Sequence, residues 1–287
     1  MTIRKGFDCG AIAQPTRRGR PWRLHGEGGH GTPTAVHRTG RRTGRRAMAG
    51  RDRPSPPTLA LLGAPRLRID GVWHDLPPSR WVALLAYVAH ARTWVRREAL
   101  AATFWPEHDQ VRASWNLRQC LQTIARSRAG SAFEREPTRV CWRGTTDLAL
   151  FESHLESTSW RAAVATYRGP FLDGLEAVDV SLFQEWLGVE RGALEERWRA
   201  GVLALAEERL SANRAGAALD LVHTLLRHDP LDEVAVRLAL RAAAASGDRT
   251  RGARAFRAFC EALRDELGAE PEPATESLWK ALTSLPT

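Results

Sequence analysis

Hydrophobic periodicity is missing from the first 57 positions and sets in abruptly at Leu59. Leu59-Ala60-Leu61-Leu62-Gly63 and Arg66-Leu67-Arg68-Ile69-Asp70-Gly71 read as short strands joined by a Gly/Pro turn, and Val72-Trp73-His74-Asp75-Leu76 continues them through the Asp70-Gly71 hairpin signal. Pro77-Pro78-Ser79 stops the sheet and offers Ser79 as the N-cap of a helix over Arg80 to Ala91. A second helix is expected from Arg96 to Phe104, ended by Trp105-Pro106, and a third from just after Asp109 to about Arg128. Phe133 to Leu148 returns to β character, with Arg139-Val140-Cys141-Trp142 strand-like and Gly144 a turn residue.

Everything beyond about Phe151 has helical spacing: Leu155–Tyr167, Leu182–Leu210, Arg214–Arg227, Leu231–Ala245, Thr250–Leu267 and a closing helix from about Pro273 to Leu282. The short loops between them imply antiparallel neighbours. Arg214, Ala218 and Leu221 recur as Arg249, Ala253 and Phe256, an offset of 35 that lies close to the roughly 34-residue tetratricopeptide period. A small sheet, three helices and a hairpin in that order make a winged helix. The expected fold is therefore mainly α: an N-terminal winged helix with a β platform and wing hairpin, then an α-solenoid of tetratricopeptide-like helices. The segments are a basic tail over 1–57, the winged helix over 58–150 and the helical domain over 151–287.

Charge sharpens this division. Residues 1–57 hold 13 basic and 3 acidic side chains, residues 58–150 hold 13 and 8, and residues 151–287 hold 16 and 22. A basic front suits a polyanion that an acidic back would repel. The tail is rich in Gly, Arg, Thr and Pro, with too little apolar surface to offset the entropy of ordering, and is expected to be disordered. It reads either as an arginine arm for phosphates or as a solvated stretch reflecting the choice of start site, since Met48 lies just ahead of the folded part. Cys9, Cys120, Cys141 and Cys260 form no CxxC pair, which argues against a disulfide framework or a zinc site and fits a reducing cytoplasm. No apolar run approaches the roughly 18–20 residues that span a bilayer, and no secretory signal is expected.

The third helix carries the chemistry. At 100° per residue, Ala113, Leu117, Cys120, Leu121 and Ile124 share one face, while Arg112, Trp115, Asn116, Arg118, Gln119, Gln122, Thr123 and Arg126 share the other. The second face holds arginines and carboxamides but no acid. That chemistry suits base edges, because Arg donates to guanine while Asn and Gln pair with adenine. An amphipathic helix serving only solubility usually mixes Glu with its Arg. Trp115 either covers deoxyribose or packs against the wing. Arg135, Arg139 and Arg143 in the hairpin are candidates for phosphate contacts, or simply decorate a solvated wing.

Catalysis finds no support. No GxxxxGK[ST] loop, HExxH pair or GxSxG elbow occurs. Glu107-His108-Asp109 sits in the turn before the third helix as helix-start chemistry, and His223 and His228 do not share a helical face. No metal or cofactor is implied. Trp186, Trp198, Phe256, Phe259 and Trp279 are read as packing rather than as a ligand cage.

Trp94-Val-Arg-Arg-Glu-Ala-Leu-Ala-Ala-Thr-Phe-Trp-Pro106 followed by Arg112-Ala-Ser-Trp-Asn-Leu-Arg-Gln119 resembles the DNA-binding domain of the Streptomyces antibiotic regulatory protein family. Asp147-Leu-Ala-Leu-Phe151, Tyr167-Arg-Gly-Pro-Phe-Leu-Asp-Gly174, Trp186 with Glu190-Arg191, His228-Asp-Pro-Leu-Asp-Glu233 and Glu266-Leu-Gly-Ala-Glu-Pro-Glu-Pro-Ala-Thr275 resemble its bacterial transcriptional activator domain. The resemblance implies an activator that binds direct repeats in double-stranded promoter DNA, recruits RNA polymerase and forms head-to-tail homodimers on those repeats. The third helix departs from the family's usual leucine-arginine ending with Thr123-Ile-Ala-Arg126, which points to a different base preference. Two other readings stand beside this one: a tetratricopeptide-type interaction scaffold with a vestigial winged helix, and non-specific nucleic-acid binding by the arginine tail.

Overall fold

The computed structural model describes residues 56–284, so all but the last two residues of the basic tail, Met48 and Cys9 included, lie outside the described residues. The platform opens with β1 (Thr58–Ala60), β2 (Arg66–Ile69) and β3 (Val72–Asp75). Asp70 and Gly71 both take left-handed backbone, with φ of 49° and 82°, which is what a two-residue turn matching strand twist requires. Leu67 pairs with His74 and Ile69 with Val72 across it.

Helix α1 (Arg80–Ala91) buries Val82, Leu84, Leu85 and Val88. Ser79 stands at its N-cap with extended backbone, but its hydroxyl donates to the Pro77 carbonyl at 3.2 Å instead of capping, so the expected cap bond is not made. A two-residue strand, β4 (Val95–Arg96), precedes α2 (Arg97–Phe104), and α3 (Gln110–Arg126) follows. Asp109 caps α3, its carboxylate accepting the Arg112 backbone N–H at 2.9 Å. The chain then makes a 3-10 turn at Arg128–Ala132 and forms the wing from β5 (Phe133–Arg135) and β6 (Arg139–Trp142). Val95 pairs with Val140 and Arg96 with Arg139, which stitches the wing to the start of α2. Finally β7 (Thr145–Thr146) runs parallel to β1 and closes a four-stranded platform in the order β3-β2-β1-β7.

The helical part differs from the expectation at its start. In place of one helix over Leu155–Tyr167 there are two, α4 (Asp147–Glu156) and α5 (Trp160–Thr166). The Thr146 hydroxyl accepts the Ala149 N–H at 3.1 Å and so starts α4 directly from β7. The break falls at Ser157-Thr158-Ser159, where Thr158 adopts a φ of 52° and small hydroxyl side chains compete for backbone hydrogen bonds. The remaining helices follow the predicted spacing: α6 (Ser181–Ser211), α7 (Ala215–His228), α8 (Glu233–Ser246), α9 (Arg249–Leu267) and α10 (Pro273–Ser284). Arg214 is the N-cap of α7 while Arg249 is the first residue of α9, so the two copies of the weak repeat start one position out of step.

One apolar core runs from the platform into the helices. Tyr87 of α1 meets Trp186 of α6 at 4.7 Å between ring centroids, and Phe104 of α2 meets Phe183 of α6 at 5.5 Å. The chain backbone joins as well: Gly63 N–H donates to the Pro170 carbonyl at 3.1 Å, and Leu172 N–H to the Leu61 carbonyl at 2.8 Å. Farther along, the Trp279 ring stacks on Phe256 at 4.7 Å, and Phe259 is 1% exposed. These aromatics pack the helices together.

Gly252 marks the closest approach among α8, α9 and α10. A Cβ there would lie 2.6 Å from the Ala243 Cβ and 2.8 Å from Leu282 Cδ2. Elsewhere in a helix, Gly→Ala gains roughly 0.5–1 kcal/mol. Here the overlap should reverse the sign, and Gly252→Ala is expected to cost about 1–3 kcal/mol. A urea midpoint equal to or above that of the wild type would contradict this packing account.

Candidate nucleic-acid interface

The amphipathic division of α3 is reproduced in space. Ala113, Leu117, Leu121 and Ile124 are buried, Cys120 is partly so, and Arg112, Trp115, Arg118, Gln119, Gln122, Thr123 and Arg126 are exposed, with Asn116 intermediate. Among the described residues, none of Arg112, Arg118 and Arg126 has a carboxylate within ion-pairing distance. Their guanidiniums are therefore available to a phosphate or a guanine edge, and the carboxamides of Gln119 and Gln122 stand on the same side. Thr123 is the exception in hydrogen-bonding terms, because its hydroxyl already donates to the Gln119 carbonyl at 3.1 Å.

Trp115 is 56% exposed and takes part in none of the ring contacts among the described residues. It does not pack against the wing. Trp94 fills that place: Arg139 and Arg143 lie over its ring at 4.5 and 5.2 Å. The same two arginines are held by carboxylates of the hairpin, Arg139 by Glu136 at 2.6 Å and Arg143 by Glu134 at 2.8 Å. Such exposed pairs contribute roughly 0–1 kcal/mol, little enough for a phosphate to replace them. Of the three wing arginines picked out in the sequence, only Arg135 has no carboxylate partner among the described residues.

Arg97, which the sequence reading passed over, belongs to this surface. Its backbone N–H donates to the Thr138 carbonyl at 2.9 Å, which fixes the first turn of α2 against the wing. Its Nε is buried without a hydrogen-bond partner. Burial, then the neighbouring charges of Arg135 and Arg118, push its pKa down. The charges of Arg118 on α3 and Arg135 on β5 thus reach Arg97 on α2, and among the described residues none of the three has a carboxylate partner. A like-charge cluster of this kind is costly unless an anion completes it. The signal that could have found Arg97 is the wing pairing of Val95 and Arg96, which places the next residue beside β5 and β6.

Other chemistry is sparse. Among the described residues no group of three or more His, Cys, Asp and Glu is placed to hold a metal ion, and no helix is long and apolar enough to cross a membrane. Cys120, Cys141 and Cys260 are free thiols, each pushed up in pKa by burial.

Comparison with known proteins agrees with the geometry. Residues 143–283 match the family described as "Bacterial transcriptional activator domain". No curated protein matches the sequence. Among solved structures, the chain is similar to Mycobacterium tuberculosis EmbR, solved in complex with a low affinity phosphopeptide, with 21% identity and a TM-score of 0.62. That similarity covers 81% of this chain and 66% of EmbR, so this chain spans a little under two thirds of that protein. The helical half thus carries the match to the bacterial transcriptional activator domain, and the fold that sets a winged helix in front of it is similar to that of EmbR.

Proposed function

We propose that the protein is a sequence-specific transcriptional activator that binds direct repeats in double-stranded promoter DNA through α3 and recruits RNA polymerase through its helical half. The observation that carries this is the acid-free exposed face of α3, where Arg112, Arg118 and Arg126 have no carboxylate partner among the described residues and Arg97 and Arg135 extend the positive surface. Arg118, Asn116, Gln119 and Gln122 are the base readers in this scheme. Arg97, Arg135, Arg139 and Arg143 hold phosphates and set the register of the protein on the duplex. Copies bound to successive repeats form the head-to-tail homodimer, and the acidic helical half faces away from the duplex.

The test is footprinting and retardation on the DNA upstream of its own and neighbouring genes. Arg118→Ala and Gln122→Ala should each weaken the specific site by roughly 5- to 150-fold, the equivalent of about 1–3 kcal/mol, while binding to unrelated duplex changes little. Arg97→Ala should weaken both kinds of DNA together and lower the slope of log affinity against log salt by about 0.9. Retention of wild-type affinity and selectivity by the two α3 variants would remove α3 from the reading surface. Absence of any retardation, with stable capture of a protein partner instead, would favour the scaffold reading.

A further inference from the structure

A cleft of about 920 Å³ opens on the platform, where β2 and β3 face the start of α4 and the segment after α5. It lies within the size range of small-molecule sites. Its wall includes the ring of Trp73, 37% exposed although it sits in a strand, and the side chain of Leu150, which is 50% exposed. Its rim carries four guanidiniums, from Arg68, Arg92, Arg143 and Arg168.

The charge of this rim is not balanced. Arg168 is paired with Asp147 at 2.7 Å and Arg143 with Glu134 at 2.8 Å. Arg92 shares one carboxylate, Glu152, with Arg197. Arg68 has no carboxylate partner among the described residues, and its guanidinium lies over Trp73 at 5.7 Å. Arg66 and Arg168 also approach that ring, at 5.2 and 5.7 Å, so three cations surround one indole. The only carboxylate lining the cleft among the described residues, Asp147, has its oxygens engaged by the Leu61 and Leu62 N–H groups and by Arg168. An occupant therefore meets a flat aromatic wall and unspent N–H donors, with no free carboxylate.

We infer that this cleft binds a planar aromatic anion, its ring laid against Trp73 and Leu150 and its negative group received by Arg68 and Arg168. Stacking on an indole already flanked by cations suits a ring, and a guanidinium pair suits a carboxylate or its isostere. The chain's own N-terminal stretch is a poor occupant, because its 13 basic side chains would meet an arginine rim. Arg143 is shared with the DNA surface proposed above, but the receiving pair, Arg68 and Arg168, is not, so the inference does not depend on DNA binding.

The test titrates 2-naphthoate into the full chain, followed by tryptophan fluorescence and calorimetry. Saturable binding at one site per chain is expected, with the neutral 2-naphthamide about tenfold weaker or more. Arg68→Gln and Trp73→Ala should each reduce naphthoate affinity by about tenfold, with unchanged circular dichroism. Lack of saturable binding, equal binding of the amide, or full affinity in both variants would overturn the proposal. Displacement of naphthoate by duplex DNA in the wild type would also overturn it, by assigning the cleft to nucleic acid.

Discussion

Asp232→Ala is expected to lower the unfolding free energy by about 2–4 kcal/mol, because it removes a helix cap and leaves the Arg199 guanidinium with only the exposed Glu196, at 3.1 Å, to face. The Asp232 side chain is 2% exposed, and its two oxygens receive Nε and Nη2 of Arg199 at 2.6 and 2.8 Å. This is a bidentate pair between α6 and the start of α8, which is stronger and more directional than a single contact. The same carboxylate is the N-cap of α8, accepting the Ala235 N–H at 3.0 Å. One truncation thus removes a cap and the buried half of the contacts that hold Arg199, leaving it Glu196 alone. A fall in melting temperature on the order of 10 °C should accompany it, and a shift of only a degree or two would show that the pair contributes little.

The pH dependence follows from the direction of the shift. Burial opposes ionisation of Asp232, but the hydrogen bond from Arg199, the Ala235 N–H and the Arg199 charge together hold its carboxyl below the usual range. A depressed folded pKa means that the stabilisation is present above the unfolded value of about 3.9 and is lost as pH falls through the folded one. The wild type should therefore lose stability on acidification below about pH 4, and Asp232→Ala should lose less over the same interval. Parallel acid limbs in the two proteins would show that Asp232 does not carry that loss.

Asp147→Ala should cost a comparable amount, about 3–5 kcal/mol, for a different reason. Its carboxylate, 8% exposed, accepts the Leu61 N–H at 2.7 Å and the Leu62 N–H at 3.2 Å and pairs with Arg168 at 2.7 Å. The end of β1, the start of α4 and the segment leading to Phe171 are joined at this one group. Burial pushes its pKa up against the pull of those N–H groups and of Arg168. The sign is therefore opposite to that of Asp232: ionisation of Asp147 weighs against the fold as pH rises, and its loss on substitution should not flatten the acid limb. Asp147→Asn should recover only part of the stability, since an amide offers one acceptor oxygen where two are in use. Full recovery by Asn would mean that neither the charge nor the second oxygen matters. Because these contacts tie the winged helix to the helical half, loss of stability should appear as one shifted unfolding transition rather than as two separated ones.

Much of this architecture was legible because burial and periodicity coincide. The apolar positions of α3 that one face collects are the ones found buried, and Asp70-Gly71 turns as its residue types demand. Legibility failed where tertiary partners decide. The Asp-Pro-Leu-Asp-Glu motif ending at Glu233 was visible in the sequence, but nothing there pairs Asp232 with Arg199, 33 residues away. Arg97 looked like an ordinary helix-start residue, and the charges of Arg118 and Arg135 reach it only once the wing lies beside α2. The hairpin arginines looked uniformly free, yet the hairpin itself supplies Glu134 and Glu136 to two of them. The break between α4 and α5 was overlooked for a more local reason. Ser157-Thr158-Ser159 interrupts an otherwise helical run, and a serine-threonine cluster is as much a stop signal as glycine when its hydroxyls can bond nearby backbone: the Ser157 hydroxyl donates to the His154 carbonyl at 3.2 Å.

The aromatic seam of Tyr87, Phe104, Phe183 and Trp186 packs α1 and α2 of the winged helix directly onto the long helix α6. A protein of this build bound to a duplex carries its helical body at a fixed azimuth, and that body turns with the DNA screw. Moving the binding site by about five base pairs, half a helical repeat, would carry it to the opposite side of the double helix.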